Sequence, residues 1–368
     1  MISTLDARSG GTSEACAGLV AAQSRQGLAV RVVATQRERE DSSVIEQLST
    51  RLAGSNIRLI GPARGPLARH PAIKTVIRQE LDHADVVHLH GVWEEIVFQA
   101  AHAAISRGIP VVWAPHGMLD PWSLAQSWLK KKIYWRWRWH RLSQKISALH
   151  CMTSSEARLL HETIAPTVKR IVEPLGTEIP IAAPPALTSS NVLFFSRLHP
   201  KKNVECLLRA CAASAGKEWS LTIAGDGEAS YRNELQDLSQ DLGISDRVSF
   251  LGDLRGTRKT EAFRNAAVFC LPSHQENFGI VVIEALAAGL PMILSPQVGI
   301  VEDLFDLGQV EVAGNDPQVW AHKIEEMIAD SDLRQRAATG GPDFVRQRFA
   351  WDAIGRNWVG HYAKLGHR

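Results

Sequence analysis

Ala266-Ala267-Val268-Phe269-Cys270-Leu271-Pro272-Ser273-His274-Gln275-Glu276-Asn277-Phe278-Gly279-Ile280-Val281-Val282-Ile283-Glu284 holds an apolar strand, a polar loop and the start of an apolar helix. The strand lacks the in-out alternation of a sheet with one wet face, so it belongs to a parallel sheet covered on both sides. A helix starting near Phe278 and ending near Gly289 places Glu284 on its second turn and leaves Glu276 in the loop before it. Two carboxylates so spaced can reach two ends of one ligand lying across the helix N-terminus, where each can accept hydrogen bonds from a vicinal diol. One charge at the helix N-terminus and one buried ion pair is the plainer alternative.

Outward from this unit the pattern repeats. NVLFFSRL from Asn191, SLTIAGDG from Ser220, VSFLG from Val248, LPMILS from Leu290 and QVEVAG from Gln309 are further short apolar runs separated by helical stretches. The first half carries its own series: VRVVAT from Val30, IRLIG from Ile57, DVVHLHG from Asp85, PVVWAPHG from Pro110 and ALHCMTS from Ala148. Strands alternating with helices build layered α/β domains. The segment Glu178 to Ser190, rich in Pro and Ala, suits a connection between two of them. The expected fold class is therefore α/β, with two Rossmann-like doubly wound domains facing a cleft over residues 1–180 and 191–345. Residues 346–368 are expected as a C-terminal helix, its return to the first domain left open. Ligands of such folds bind at the carboxyl ends of the strands.

Length and composition agree. The 368 residues exceed one small module, and 45% hydrophobic with 22% charged residues excludes a disordered or fibrous chain. A net charge of +2 is too small for a nucleic-acid binder of the basic-stripe kind, so no nucleic-acid partner is expected. The five cysteines lack a C-x-x-C pair, which indicates neither a disulfide framework nor a zinc site and fits a reducing cytoplasm. No run approaches the roughly 20 apolar residues of a membrane span, so a soluble or peripheral protein is expected.

A second motif, Ser196-Arg197-Leu198-His199-Pro200-Lys201-Lys202-Asn203, sets two cations at a strand-to-helix turn. Fixed positive charge beside a helix N-terminus suits a pyrophosphate. Taken in order, this turn, IAGDGE (Ile223 to Glu228), VSFLGD (Val248 to Asp253) and the Glu276-x7-Glu284 element resemble the family 4, or group 1, retaining nucleotide-sugar glycosyltransferases of the GT-B fold, over nearly the whole chain.

The resemblance implies an acceptor-side first domain, a nucleotide-sugar-binding second domain, and transfer of a hexose from a UDP- or GDP-sugar to a hydroxyl, with retention. Arg197 and Lys202 would hold the donor diphosphate, with backbone N–H groups of Phe278, Gly279 and Ile280. Glu284 would bind ribose and Glu276 the donor sugar. Gly10 and Gly11 resemble the family's glycine loop facing the phosphates, and His116 would contact the sugar near the reacting carbon, making Glu276 and His116 the catalytic candidates. His90 and Trp93 stand one strand earlier as acceptor-side candidates, Trp93 equally as a core residue.

Two cations and a helix N-terminus can neutralise a leaving diphosphate, so no metal or other cofactor is expected. The Asp330-Ser331-Asp332 triplet reads as a helix cap. Only Met1 to Leu5 precede the glycine loop, where the family has a longer strand, so a missing central strand and a start further upstream are both expectations. The rival classes are a GT-B epimerase or phosphorylase and an inactive nucleotide-binding partner in polysaccharide assembly.

The first half carries 22 basic and 16 acidic side chains, and residues 121–145 contribute Lys130, Lys131, Lys132, Arg136, Arg138, Arg141 and Lys145 with no acid. On one continuous helix Lys131, Arg138, Arg141 and Lys145 share a face, opposite Trp128, Trp135 and Trp139. That is the pattern of a helix lying on an anionic membrane, and equally of a packed helix with a solvated basic side. The first reading adds a lipid-linked glycan acceptor and a peripheral place on the cytoplasmic face of the membrane.

Overall fold

The computed structural model describes residues 1–6, 11–37, 52, 55–164, 166–177, 186–214 and 219–366. The chain divides into two compact units, Met1–Gly176 with Trp351–Arg368, and Thr177–Ala350. Most of the connection expected over Glu178 to Ser190 lies outside the described residues, as does Gly10.

The first unit runs α1 (Gly11–Arg25), β1 (Arg31–Arg37), β2 (Asn56–Ala63), α2 (Ile73–Leu81), β3 (Val87–His90), α3 (Glu95–Ser106), β4 (Val111–Ala114), α4 (Pro121–Ala125), α5 (Trp128–Tyr134), a π-turn (Trp135–Trp139), β5 (Ala148–Cys151), α6 (Ser154–Thr163) and β6 (Lys169–Val172). Strands β3, β4, β5 and β6 pair in that order, all parallel, and β1 pairs with β2. All four residues of β4 are fully buried, which is why the run PVVWA carries no alternation.

The central strand is short but its place is filled. Ile2 bridges Ala34 of β1 on one side and His90 of β3 on the other. The Ile2 amide donates to Val33 at 3.1 Å, and the Met1 carbonyl accepts from His90 at 3.0 Å. The sheet is therefore continuous through residues 1–3, in the order β2, β1, Ile2, β3, β4, β5, β6, and the missing-strand expectation does not hold for this unit.

The second unit contains β7 (Asn191–Phe195), α7 (Val204–Ala213), β8 (Ser220–Ala224), α8 (Ala229–Asp241), β9 (Val248–Gly252), α9 (Gly256–Arg264), β10 (Val268–Leu271), α10 (Ile280–Ala287), β11 (Met292–Leu294), β12 (Val310–Val312), α11 (Pro317–Ala329) and α12 (Ser331–Arg348). Its sheet order β12-β11-β10-β7-β8-β9 is all parallel and reverses direction between β7 and β10. A ligand crevice opens at such a reversal, outside the carboxyl ends of the strands. Asp330 caps α12 by accepting from the Leu333 amide at 2.8 Å.

The last helix, α13 (Trp351–Gly366), belongs to the first unit and packs on α1. Trp351 lies so close to Gly18 that a Cβ there would stand 2.1 Å from its ring, and one at Gly176 2.4 Å. Only glycine admits that contact, so Gly18→Ala would force the helix off its seat.

Candidate functional site

In the second unit the turn after β7 and the turn after β8 lie against each other. Leu198 N–H donates to the Asp226 carbonyl at 2.9 Å, and Leu198 bridges Gly227. A Cβ at Gly225 would stand 1.9 Å from the Ser196 carbonyl oxygen, and one at Gly227 2.2 Å from that of Leu198. Those glycines are what allow IAGDG to support the cationic turn. His199 caps its short 3₁₀ segment, Nδ1 accepting from Lys201 N–H at 3.1 Å.

That turn delivers Lys202 inward and Arg197 outward. Lys202 is buried and its ammonium contacts the Glu276 carboxylate. Burial first, then the Lys201 and Arg197 cations, pull Lys202 down to about 7. The Glu276 carboxylate works the other way and favours the charged ammonium. Arg197 is exposed.

The carboxylate loop is held from beneath. Glu276 N–H donates to Gln297 at 3.1 Å, and its carbonyl accepts from Gly299 at 2.8 Å. A Cβ on Gly299 would stand 2.0 Å from the Asn277 carbonyl oxygen. Helix α10 starts at Ile280, two residues later than expected, because Gly279 takes φ 86° as its N-cap, and no side chain caps it. The first amides of a helix have no intrahelical acceptor, so this end offers donors to an anion. Phe278 is buried and Ile280 exposed. Glu284, on the second turn, accepts from Lys259 Nζ at 2.6 Å. Lys259 comes from α9 and also lies 5.3 Å from the centre of the Phe195 ring. This edge thus gathers two carboxylates, each engaged by a lysine.

The first unit's carboxyl edge centres on a group of imidazoles. His116 sits after β4 with φ 54°, its Nε2 2.9 Å from Nδ1 of buried His90. Burial holds His116 down to about 4 and His90 well below the usual imidazole range. Behind them lies a hydrogen-bonded row whose tautomers follow from its ends. The Glu173 carbonyl can only accept, so His150 Nε2 donates to it at 2.8 Å, and His150 Nδ1 must accept from His88 Nε2 at 3.1 Å. His88 Nδ1 then accepts from the Tyr362 hydroxyl at 2.7 Å, which in turn accepts from Gln23. Glu156, also buried, accepts from Gly117 N–H at 2.9 Å and from Met152 N–H at 2.7 Å, joining the loops after β4 and β5. Gly11 opens α1 with open space where a Cβ would stand, so no contact demands glycine there.

Models of two families match the chain end to end in sequence: a glycosyl transferase 4-like domain over residues 10–176 and glycosyl transferases group 1 over residues 179–343, the latter spanning both the lysine turn and the Glu276 loop. The chain belongs to the group 1 glycosyltransferases. An uncharacterized glycosyltransferase of Methanocaldococcus jannaschii is 31% identical over 46% of this chain and 44% of its own. A D-inositol 3-phosphate glycosyltransferase of Nocardiopsis dassonvillei is 29% identical over 86% of this chain and 81% of its own. The chain spans 38–44% of the length of the first curated relatives it matches. Among solved structures, Anabaena HepE with UDP and glucose superposes with a TM-score of 0.76 at 18% identity, covering 99% of both chains. The fold is GT-B.

Within this group 1 glycosyltransferase the structure brings Lys202 to Glu276 and His116 to His90, each pair inside one unit. Trp93 is half-buried, with Tyr134 edge-on at 5.8 Å and Lys131 over its ring at 5.3 Å. Lys259, Glu156, His150 and Tyr362 escaped sequence reading. Glu156 alone left a signal, the Thr153-x-x-Glu156 spacing of a capping box. Thr153 Oγ1 does accept from Glu156 N–H at 3.1 Å.

The basic tract is not one helix. Ser127, at φ 56°, separates α4 from α5, and the π-turn then inserts extra residues into the helical phase. Two of the four cations assigned to the membrane face consequently turn inward. Arg138 makes a bidentate bond to Glu95, 2.6 and 2.9 Å, and lines an open cavity of about 450 Å³ with Arg69, His70 and Lys74. Lys131 donates to the Ser123 carbonyl. Arg141 and Lys145 remain exposed. Trp139 is fully buried, stacked on Trp113 with ring centres 4.2 Å apart.

Proposed function

We propose that this protein transfers a hexose from a UDP- or GDP-sugar to a hydroxyl of a glycan, with retention and without a metal ion. The observation that carries the reading is the Lys202–Glu276 contact beside the open N-terminus of α10, with Glu284 on the same helix. A donor diphosphate entering there competes for the Lys202 ammonium. Release of that contact turns the Glu276 carboxylate to the hydroxyls of the sugar, so one exchange prepares both ends of the donor. Glu284 has one oxygen on Lys259 and accepts ribose hydroxyls with the other.

As the sugar–phosphate bond breaks, charge grows on the diphosphate, and Lys202, Arg197 and the α10 amides stabilise it. That is the work a divalent cation would otherwise do, which supports a metal-independent reaction. Among the described residues no cluster of three or more His, Cys, Asp or Glu is placed to hold a metal. Retention is assigned to a front-face displacement in which the leaving phosphate takes the acceptor proton. His116, kept neutral by burial, bonds a sugar hydroxyl rather than opposing the cationic character of the reacting carbon.

The acceptor is read as a lipid-linked glycan, used at the cytoplasmic face of a membrane in polysaccharide or lipopolysaccharide synthesis. Among the described residues no helix is long and apolar enough to cross a membrane, so attachment would be peripheral.

Thermal unfolding with UDP, GDP and ADP tests the donor site, because a ligand held only by the folded chain raises its stability. A shift with UDP or GDP, followed by release of that nucleotide from its sugar conjugate, is expected. No shift with any of the three would reject the reading.

A further inference from the structure

Four large apolar side chains in one ten-residue stretch of the first unit stand in solvent: Trp128 at 58% exposure, Leu129 at 54%, Ile133 at 53% and Trp137 at 84%. Scattered exposed apolar residues are ordinary; a run of four with two tryptophans marks an interaction surface. Leu129, Ile133 and Trp137 follow four-residue steps and so line one side of α5 and the π-turn. Lys130, Lys132 and Arg136, all exposed, lie between them, and Lys132 reaches over the Trp128 ring at 5.6 Å.

The ridge rests on a fixed base. Trp139 below it is fully buried and donates from Nε1 to the Val92 carbonyl at 3.1 Å, and Arg138 is clamped to Glu95.

We propose that this ridge is the surface by which the enzyme enters an anionic bilayer, with Trp128, Leu129, Ile133 and Trp137 in the interfacial layer and Lys130, Lys132 and Arg136 on the headgroups. Indole and aliphatic groups beside cations match the acyl boundary beneath negative lipid, a layer where tryptophan concentrates. A second copy of the chain matches poorly: residues 121–145 hold seven cations and no acid, so ridge against ridge would bring like charges together. The proposal rests on the reading of a membrane-borne acceptor and replaces Lys131 and Arg138 by the three cations that face outward.

The test is co-sedimentation of the full chain with phosphatidylcholine vesicles and with vesicles containing phosphatidylglycerol, without donor. The wild type should bind the anionic vesicles alone, partly released by moderate salt and fully by high salt. Lys130→Gln/Lys132→Gln/Arg136→Gln should bind on the order of a hundredfold more weakly. Trp128→Ser/Leu129→Ser/Ile133→Ser/Trp137→Ser should lose the fraction that resists moderate salt. Arg141→Gln/Lys145→Gln should change binding by much less than the triple variant.

Because the five native cysteines are buried, Ile133→Cys can carry a polarity-sensitive dye, whose emission should move to the blue on anionic vesicles only. Equal binding by wild type, the triple glutamine variant and the quadruple serine variant, no binding by wild type, an unmoved dye, or a wild-type dimer that the serine variant dissociates would overturn the proposal. The nucleotide-induced thermal shift should be unchanged in all variants. Its absence in the wild type would sink the transferase reading and leave the vesicle result standing.

Discussion

The carboxyl edges of the two sheets solve the same problem with opposite electrostatics. In the first unit His90 and His150 are buried and His88 and His116 half-buried, burial holds all four imidazoles below their usual range, and each has a hydrogen-bonded neighbour. In the second, lysine and carboxylate side chains are in direct contact, Lys202 with Glu276 and Lys259 with Glu284. A neutral row fixes shape and resists exchange. An ion pair beside a helix end is exchangeable, since an arriving diphosphate or diol offers each partner a substitute. On the proposed reading the first edge positions and the second binds.

Acid should break this contrast most strongly. Burial lowers His116 to about 4 and His150 to about 3, and His88 and His90 fall well below 6.5. Below about pH 6.5 the unfolded chain takes up protons that the folded chain refuses, so stability falls as pH falls, by roughly 1 kcal/mol per imidazole at pH 5.5. Unfolding measured at pH 7.5 and 5.5 should show a loss of several kcal/mol, with the first unit melting first. Equal stability at the two pH values would mean that the imidazoles are not buried.

Lys202→Ala should come next, lowering kcat about a hundredfold or more at saturating donor, because the charge it meets grows in the transition state. A change confined to KM would make Lys202 a mere binding residue. Glu284→Ala should cost nucleoside diphosphate affinity by about 1.5–3 kcal/mol, read by calorimetry. Lys259→Met should cost less, since it leaves the carboxylate in place. Equal losses would show that the pair acts only to hold the helix. The smallest expected effect is that of a chelator: turnover should stay constant in EDTA, and rescue of a lost activity by magnesium would return the charge-stabilising role to a metal.

Continuous apolar runs made both sheets legible, since a strand buried on both faces has no choice of side chain. The Glu276 to Glu284 spacing placed two carboxylates correctly because one loop and one helix carry both. What stayed hidden depends on partners from distant elements. Lys259 lies 25 residues from Glu284, and Tyr362 274 from His88. The basic tract failed for a different reason. Its helical period was read as unbroken, but the left-handed Ser127 and the wider π-turn rotate everything after them, taking Arg138 to Glu95 and leaving Trp137 outside.

The return of α13 to the first unit has a practical consequence for dissecting the molecule. The first unit is written in two separated pieces of the gene, with the second inserted between them. A stop codon near residue 350 would therefore leave the second unit whole while uncovering α1 and removing Tyr362 from the imidazole row. Only residues 177–350 can be cloned as an uninterrupted fragment; a matching fragment of the first unit needs a linker joining Gly176 to Trp351, whose neighbouring positions are already set by the contact between those two residues.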